Sequence, residues 1–448
     1  MAGIFTSQNK IRPGAYTNFK SASTGQINTG DRGVVFLPLV LPWGQPEVLI
    51  DITAEEYSQG KAFAKTGLTP GSAEAMPLRE AFKKANLVRV YKLNTNSGAI
   101  AASKEITSGV TATAALAGTL GNKISIKSEA PTPNGPFKLI TTVDGIVVDV
   151  QTLAKIGDYV PNGWVEFSTT GSTVLGDVAG VTLTGGTDGD TDITATHWEA
   201  AFELASTAKW NVLAVLTEDT AVMDIAKTYI SNLRENAGKK VQAVTMAYDH
   251  NYEGMISTAN QGYKIGAEEI SPLNFVAWVA GATAGAALNQ SNTYQVIDGA
   301  TDIIVPLSGA AIEEALKSGK LVISRRTDGA IVVEKDINSL HDFGDGRSYV
   351  FSKNRVIRTL DDIATRITTV FENSYIGKVN NDVSGRTLFK GNIVGYLNRL
   401  QSLGAISDFD SNADIEVLAG DDIESIVVNL AVKVADSMEK LYMTVVVS

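Results

Sequence analysis

The stretch from Ser425 to Ser448 alternates apolar with polar or small side chains, and it constrains the fold more than any other segment. Its period of two predicts a half-buried β-strand, a polar break at Asp436-Ser437 and a second strand. Two apolar sets would form the buried faces: Val428, Leu430, Val432 and Val434, then Leu441, Met443, Val445 and Val447. Because an unpaired apolar strand promotes aggregation, another part of this chain or another copy of it must pair with the terminal strand.

Composition and charge exclude several functional classes. A chain of 448 residues is too long for one ordinary core, so we expect roughly two to four domains. The net charge of −11 gives no basic field for nucleic acid, and the lack of cysteine excludes disulfides, thiolate catalysis and Cys-based zinc sites. The N-terminal residues lack the apolar run of a secretory signal, and the apolar run from Phe275 to Leu288 is too short to span a membrane. We therefore expect a soluble protein made in the cytoplasm.

Shifts in residue type divide the chain into segments. The first is basic, with Lys10, Arg12 and Lys20 and no acid, and is interpreted as an extended arm, with a disordered tail as the alternative. The predicted boundaries are an arm at 1–20, an α/β piece at 21–95, an inserted β-sandwich or barrel at 96–184, an α/β core at 185–340 and a C-terminal domain at 341–448.

Local patterns indicate the architecture of these segments. In the inserted segment, Asp144-Gly145 between two apolar runs predicts a β-hairpin. The core alternates helix and strand, which predicts a mostly parallel sheet with helices on both faces. In the C-terminal domain, helices are predicted at Asp361 to Glu372 and Gly391 to Ser402, ahead of the closing strands.

Three histidines, His197, His250 and His341, are the candidates for acid–base catalysis. A catalytic triad is defined by geometry and not by chain order, so a distant trio is still open, although no Gly-x-Ser-x-Gly elbow is present. His197, beside Trp198 at a helix start, is expected to be a surface or capping residue. We predict no catalytic residue.

Two segments partly match ion- or phosphate-binding loops. Asp188, Asp190 and Asp192 alternate, with Glu199 at the twelfth loop position, as in a calcium loop, but the sixth position holds Ile193 where that loop needs glycine. A solvated turn before a helix is the favoured interpretation. The Gly238-Lys239-Lys240 segment lacks the flanking residues of a phosphate loop, so we predict no metal-binding or cofactor-binding residues.

A run of positive charge interrupts this acidic chain, with no acid between Gly346 and Thr359. The run contains Arg347, Lys353, Arg355 and Arg358. Phosphate binding, contact with an acidic protein partner and a merely solvated face are all consistent with the pattern.

Four stretches, in order along nearly the whole chain, resemble the tail sheath proteins of contractile bacteriophage tails and related phage-tail-like bacteriocins. The branch they resemble most occurs in phages and defective prophages of Gram-positive bacteria. The stretches are Phe5 to Phe19, Ala117-Gly-Thr-Leu-Gly-Asn-Lys-Ile-Ser125, Leu183-Thr-Gly-Gly-Thr-Asp-Gly189 and Ser437 to Val445.

The resemblance implies a fold and a function. The fold would be an α/β multi-domain chain with a subtilisin-like α/β core that lacks an active site, an inserted outward-facing β-sandwich, and an α+β C-terminal domain with exchanged terminal strands, the last at 437–448. The function would be that of a structural subunit that polymerises as stacked hexameric rings around the tail tube. Contraction of this sheath would drive the tube through the target cell envelope, without enzyme activity or cofactor.

The resemblance also implies partners and contact residues. Neighbouring subunits would exchange strands through their two terminal arms, at Ala15, Thr17, Phe19, Leu441, Met443, Val445 and Val447. A tube protein or a neighbouring subunit would contact Arg347, Lys353, Arg355, Arg358 and Arg366. Further partners would be the baseplate and the tail terminator, but neither nucleic acid nor a membrane. The protein would be made in the host cytoplasm and would belong to a virion tail or a released particle.

Two alternatives come from other functional classes. An α/β hydrolase with the β insertion as a lid over its substrate would need one of the histidines for catalysis. A surface adhesin is disfavoured because the N-terminal residues lack a secretory signal.

Overall fold

The structure, a computed structural model, describes residues 32–94, 97–132, 135–169, 174–190, 192–344 and 346–446. These residues form two compact units, a larger unit of residues 32–361 with 436–446 and a smaller unit of residues 362–435. The boundary falls between Asp361 and Asp362, within one long helix. The chain returns to the larger unit at Asp436.

The strands are β1 Val34–Leu39, β2 Leu49–Thr53, β3 Leu87–Lys92, β4 Ser103–Thr107, β5 Val110–Ala114, β6 Ile124–Glu129, β7 Phe137–Val143, β8 Ile146–Leu153, β9 Val165–Thr169, β10 Val178–Thr182, β11 Val212–Ala214, β12 Gln242–Met246, β13 Met255–Thr258, β14 Tyr263–Ile265, β15 Glu268–Ile270, β16 Asp302–Ile303, β17 Lys320–Leu321, β18 Ile323–Arg325, β19 Ile331–Val333, β20 Ile406–Ser407, β21 Ile415–Ala419, β22 Ile426–Leu430 and β23 Lys433–Val434.

The α-helices are α1 Ala54–Ser58, α2 Ala62–Thr66, α3 Met76–Phe82, α4 Ala195–Ser206, α5 Thr220–Glu235, α6 Pro272–Gly285, α7 Gly309–Lys317, α8 Asn354–Ser374 and α9 Val383–Ser402. Short 3-10 helices cover Thr119–Lys123, Ile156–Asp158 and Tyr349–Ser352.

A seven-stranded sheet, in the order β2-β3-β1-β11-β12-β13-β17, is the centre of the larger unit. Its neighbouring strands pair in parallel except β2 with β3. Side chains of β1 alternate between the two faces, so that Val35 and Leu37 pack with α6 and Phe36 packs in the cluster that contains α4 and α5. The predicted mixed α/β fold, with a mostly parallel sheet between helices, is therefore the fold observed.

In the sequence, a β module of two sheets is inserted between β3 and β11 of the seven-stranded sheet. Strands β4, β5 and β9 form one sheet, and β10, β6, β7 and β8 form the other, in those orders. The apolar faces share one cluster of buried residues, which includes Ile124, Phe137 and Val165. Asp144 and Gly145 both have positive φ and join β7 to β8, as the predicted hairpin requires.

The module is joined to the rest of the larger unit by two of the stretches that carry the family resemblance. The side chain of Asn122 donates to the carbonyl of Gly186 and accepts from its N–H, both at 2.8 Å. The carboxylate of Asp188 accepts from the N–H of Thr119 at 2.6 Å and from its hydroxyl at 2.8 Å. A Cβ at Gly118 would lie 2.1 Å from the carbonyl oxygen of Pro42, so this approach requires glycine.

The smaller unit pairs helix α9 with two short sheets. Strand β21 pairs with β22 and packs against α9, and β20 pairs with β23. The hydroxyl of Tyr396 on α9 donates to the carboxylate of Asp362 at 2.5 Å, and burial raises the pKa of this tyrosine. This bond fixes α9 to the second part of α8.

Three predicted elements of the C-terminal region differ in extent from those observed. The predicted helix from Asp361 begins earlier, at Asn354, and the one from Gly391 begins at Val383. The single strand predicted around residues 428–434 is two strands, β22 and β23, because Ala431 and Val432 leave the ladder between them. Each short strand pairs with a different partner.

Candidate functional site: the terminal arm and its surroundings

The histidines are held by local contacts on separate elements. The N–H of Thr194 donates to Nδ1 of His197 at 3.1 Å, so His197 caps α4 as predicted. His250 is buried against the hydroxyl of Thr245 at 2.8 Å, and burial lowers its pKa to about 4. Nδ1 of His341 lies 3.0 Å from the carbonyl of Ser339. A capping nitrogen and a buried neutral imidazole are poorly placed to take a proton from a substrate.

The candidate ion- and phosphate-binding segments have structural roles. The carboxylate of Asp188 binds Thr119 at the module junction. The ammonium groups of Lys239 and Lys240 donate to the carbonyls of Ser206 and Arg234. Within the described ranges, no group of three or more His, Cys, Asp or Glu side chains is arranged to hold a metal ion.

The terminal arm, defined as residues 436–446, is the most exposed apolar segment of the described chain. Leu441, Met443 and Val445 are 85%, 74% and 70% exposed, and Met438 is fully exposed. The arm forms neither helix nor strand in the single chain. Exposed apolar side chains in a row are typical of a contact surface, and no other described residue covers these. Burial of these side chains against a neighbour stays a prediction.

The other predicted arm residues, Ala15, Thr17, Phe19 and Val447, lie outside the described residues. Their part in strand addition also stays a prediction.

The root of the terminal arm is bound to the rest of the larger unit by acidic side chains, chiefly that of Glu439. One carboxylate oxygen of Glu439 accepts from the ammonium of Lys353 at 2.5 Å, and the other accepts from the hydroxyl of Thr293 at 3.0 Å. The same ammonium lies 3.3 Å from Asp436. Burial by itself lowers the pKa of Lys353, but the bonds to the two acids outweigh it and raise that pKa.

Most of the basic run is buried inside the larger unit. Arg358 is fully buried, donates to the carbonyl of Gln290 at 2.7 Å and lies 3.5 Å from the carboxylate of Asp336. Burial lowers the pKa of this guanidinium against the raising effect of Asp336. Lys353 and Arg355 are also buried.

Two residues of the predicted contact set reach the surface. Arg347 is exposed and lies 3.6 Å from Glu253 in the larger unit. Arg366 is half-buried beside Asp362, at 3.5 Å, in the smaller unit. Contact with a tube or a neighbour stays a prediction for the set, and in this conformation it could involve directly only these two side chains.

Among the residues that the structure describes, the outer edges of the β21–β22 hairpin carry no further strand. The two strands pair with each other, and one face of the hairpin packs against α9. On the other face, Leu418 and Val427 lie opposite each other and are 42% and 45% exposed. The outer edges of such a hairpin present unpaired N–H and C=O groups, which can accept further strands. Added strands would also stabilise a two-stranded sheet that is only marginally stable alone.

No α-helix among the described residues combines the length and the apolar character needed to cross a membrane.

Three family models match successive parts of the chain. They are the Tail sheath protein Gp18 domain III N-terminal region at residues 32–93, the Phage tail sheath protein central domain at 191–339 and the Phage tail sheath C-terminal domain at 348–448. The β module lies between the first two matches.

Full-length relatives have the same organisation. The phage-like element PBSX protein XkdK of Bacillus subtilis (strain 168) is 33% identical over 100% of this chain and 99% of its own. The crystal structure of the sheath tail protein of Desulfitobacterium hafniense is 33% identical, with a TM-score of 0.83 over 96% of this chain and 99% of that one.

A more distant structure shares the fold alone. The anti-feeding prophage helical sheath in its contracted state, determined by cryo-EM, is 14% identical, with a TM-score of 0.57 over 97% of this chain and 98% of that one. The family models and the full-length relatives agree with the resemblance in the sequence. The chain belongs to the contractile tail sheath proteins, which are structural proteins and not enzymes.

Proposed function

We propose that this chain polymerises as stacked hexameric rings around a tail tube and contracts to drive the tube through the envelope of a target cell. Membership in the sheath family supports the proposal, and so does the likeness in fold to a sheath solved in its contracted state. The competing hydrolase hypothesis is excluded, because the family is structural.

Strand addition between subunits is the proposed means of assembly. The observation that carries it is the apolar terminal arm, exposed at Leu441, Met443 and Val445, together with a β21–β22 hairpin that has no third strand among the described residues. An arm from one subunit would extend the hairpin of another, which satisfies the backbone groups of both. The N-terminal arm would add in the same way through Ala15, Thr17 and Phe19.

Contraction would change contacts between subunits while the exchanged strands persist. Main-chain hydrogen bonds at the arms would hold the subunits together while their larger units slide and rotate. The extended sheath would be a metastable state, because the contacts between the larger units of neighbouring subunits would improve on contraction. A trigger at the baseplate would start that transition.

The architecture suits these roles in further respects. The sheet order, with one antiparallel edge strand, supports a core similar in topology to subtilisin. The β module, whose two sheets share one apolar cluster, would face outward from the sheath. The tube would contact Arg347 and Arg366, and a tail terminator would end the stack.

The protein would be made in the cytoplasm of a bacterial host and would then belong to a virion tail or a released phage-tail-like particle. The likeness to sheaths of such particles supports this location.

Electron microscopy of the purified chain over a range of concentrations tests the proposal. Tubes or stacked rings are expected. Uniform small globules at every concentration, with or without a preformed tube, would contradict it. For the tube contact, Arg347→Glu with Arg366→Glu should weaken assembly on tubes but leave self-assembly intact, and undiminished assembly on tubes would refute that contact.

A further inference from the structure

The solvent exposure of the terminal arm changes at a single residue, Glu439. Glu439 is largely buried, whereas Met438 before it and the residues from Leu441 onward are exposed. The arm is therefore held at its root and free beyond it.

The partner of Glu439 is a side chain that depends on it. The Lys353 side chain is only 6% exposed, and the 2.5 Å bond to Glu439 is shorter than its 3.3 Å contact with Asp436. A buried ammonium that loses its nearest carboxylate is left poorly compensated, so the pair resists separation. Thr293 fixes the carboxylate from a third position, at 3.0 Å, while its N–H donates to the hydroxyl of Ser291 at 3.1 Å.

We propose that the Lys353–Glu439 pair is an anchor that fixes where the exchanged strand begins and how far it reaches. Lys353 and Glu439 are then positioning residues for assembly, and this inference rests on the proposed function. The strand available to a neighbour would then start at Lys440. The exchanged segment predicted from the sequence starts three residues earlier, at Ser437. Fully extended, Lys440 to Ser448 spans at most about 30 Å, so these nine residues can pair only with an acceptor within that distance of the anchor.

A fixed starting point has consequences for assembly and for contraction. Freeing the arm back to Asp436 would lengthen the unattached segment that ends at Val446 from residues 440–446 to residues 436–446. The effective concentration of the strand at its acceptor would then fall by roughly twofold, following the −3/2 power of length. During contraction, the anchored arm would act as a tether of constant length.

Spin labels test the anchor in the unassembled subunit. Because the chain has no cysteine, Met438→Cys and, separately, Val446→Cys each provide a single labelling site. With Glu439→Ala, the nitroxide at 438 should become several-fold more mobile, whereas the one at 446 should not change. Glu313→Ala is the matched control, since it removes an acid from the exposed side of α7 and should change neither label.

A double-mutant cycle assigns the effect to the pair. Lys353→Met should mobilise the label at 438 as Glu439→Ala does, and the double variant should add nothing further. If Lys353→Met does not fold, Glu439→Ala, whose side chain is on the arm, still decides the question. A wild-type label at 438 that is as mobile as the one at 446, or that does not respond to Glu439→Ala, would overturn the anchor.

Assembly gives a second, separable measurement. The concentration at which tubes form should rise by roughly twofold in Glu439→Ala. An unchanged concentration would overturn the proposed limit on reach. If the wild-type chain forms no tubes although the labels respond as expected, the proposed function fails and the anchor stands as a property of the subunit.

Discussion

Residues 353–358 and residues 441–446 contrast in chemistry and in exposure. The first segment has three cationic side chains, and all three are buried in the larger unit. The second is mostly apolar, and Leu441, Met443 and Val445 are exposed. Each segment therefore places its side chains opposite to what their polarity alone would favour.

The difference shows which of the two segments finds its partners within the same chain. Two of the buried cations have partners from the same chain: Lys353 has Glu439, and Arg358 has Asp336 and the carbonyl of Gln290. Within the described part of the chain, the apolar side chains beyond Glu439 have no such environment, so we expect a second molecule to bury them. Two predictions test this division at the two segments, and a third tests the buried interior of the larger unit at His250. They are given in order of decreasing effect on the free energy of unfolding.

Removing Arg358 should have the largest effect. Arg358→Ala leaves Asp336 buried without its guanidinium, which should lower the free energy of unfolding by about 3–5 kcal/mol, measured with urea. Arg347→Ala is the matched control and should cost about 0.5 kcal/mol or less, because its guanidinium is exposed and lies 3.6 Å from its acid partner. Equal effects of the two changes would mean that the buried position of Arg358 adds nothing to the free energy of unfolding.

Buried His250 should make the larger unit sensitive to acid. Burial, and secondarily Lys227, lowers its pKa to about 4 from 6.5, while Asp224 and Asp249 act in the opposite direction. The unfolded chain therefore binds the proton more tightly, so this contribution is complete above pH 6.5 and is lost as the pH falls towards 4. The loss should be about 3 kcal/mol, since each pKa unit is worth about 1.4 kcal/mol.

His250→Gln checks this contribution. Its free energy of unfolding should vary less between pH 6.5 and 4 than that of the wild type, whatever the change costs at neutral pH. Parallel pH profiles for the two proteins would contradict the buried neutral state.

Charging the exposed arm should barely affect the subunit. Leu441→Asp with Val445→Asp should change the free energy of unfolding by about 0.5 kcal/mol or less, because both side chains are already in solvent. The same change should abolish tube formation, since it would bury two carboxylates in the exchanged strand. Thr444→Asp, on the opposite face of such a strand, is the control and should still form tubes. If Leu441→Asp with Val445→Asp lowered the free energy of unfolding as much as Arg358→Ala does, the contrast between residues 353–358 and 441–446 would be contradicted.

The regular parts of the fold could be predicted from the sequence because their signals are local. The Asp144-Gly145 hairpin and the alternation of helix and strand are examples. Helix α9 was predicted too short, because Gly385 and Gly391 weaken the helical pattern while the cap that starts the helix, Asp382, lies before them. The strand at 428–434 was predicted as one, because alternation does not show where a ladder changes partner.

The candidate site was only partly predictable. The exposed arm follows from the pattern Leu441, Met443, Val445, which is local. The anchor joins Lys353 and Thr293 to Glu439 across 86 and 146 residues of sequence, and no local signal connects them. For the same reason, the charge pattern gave no indication that Arg358 is buried. Reversing Arg355 and Arg358, a change that the charge run suggests as a test of contact, should therefore impair folding of the subunit.

Deletion of Lys440 to Ser448 tests the central claim most directly. This deletion is cleaner than one that starts at Glu439, because it leaves the partner of Lys353 in place. Purified wild-type and deleted chains should be compared by electron microscopy and by analytical ultracentrifugation at equal concentrations. The wild type should form tubes or rings, and the deleted chain should be a folded, soluble monomer at every concentration. Long tubes formed by the deleted chain would show that the terminal arm does not hold the assembly together.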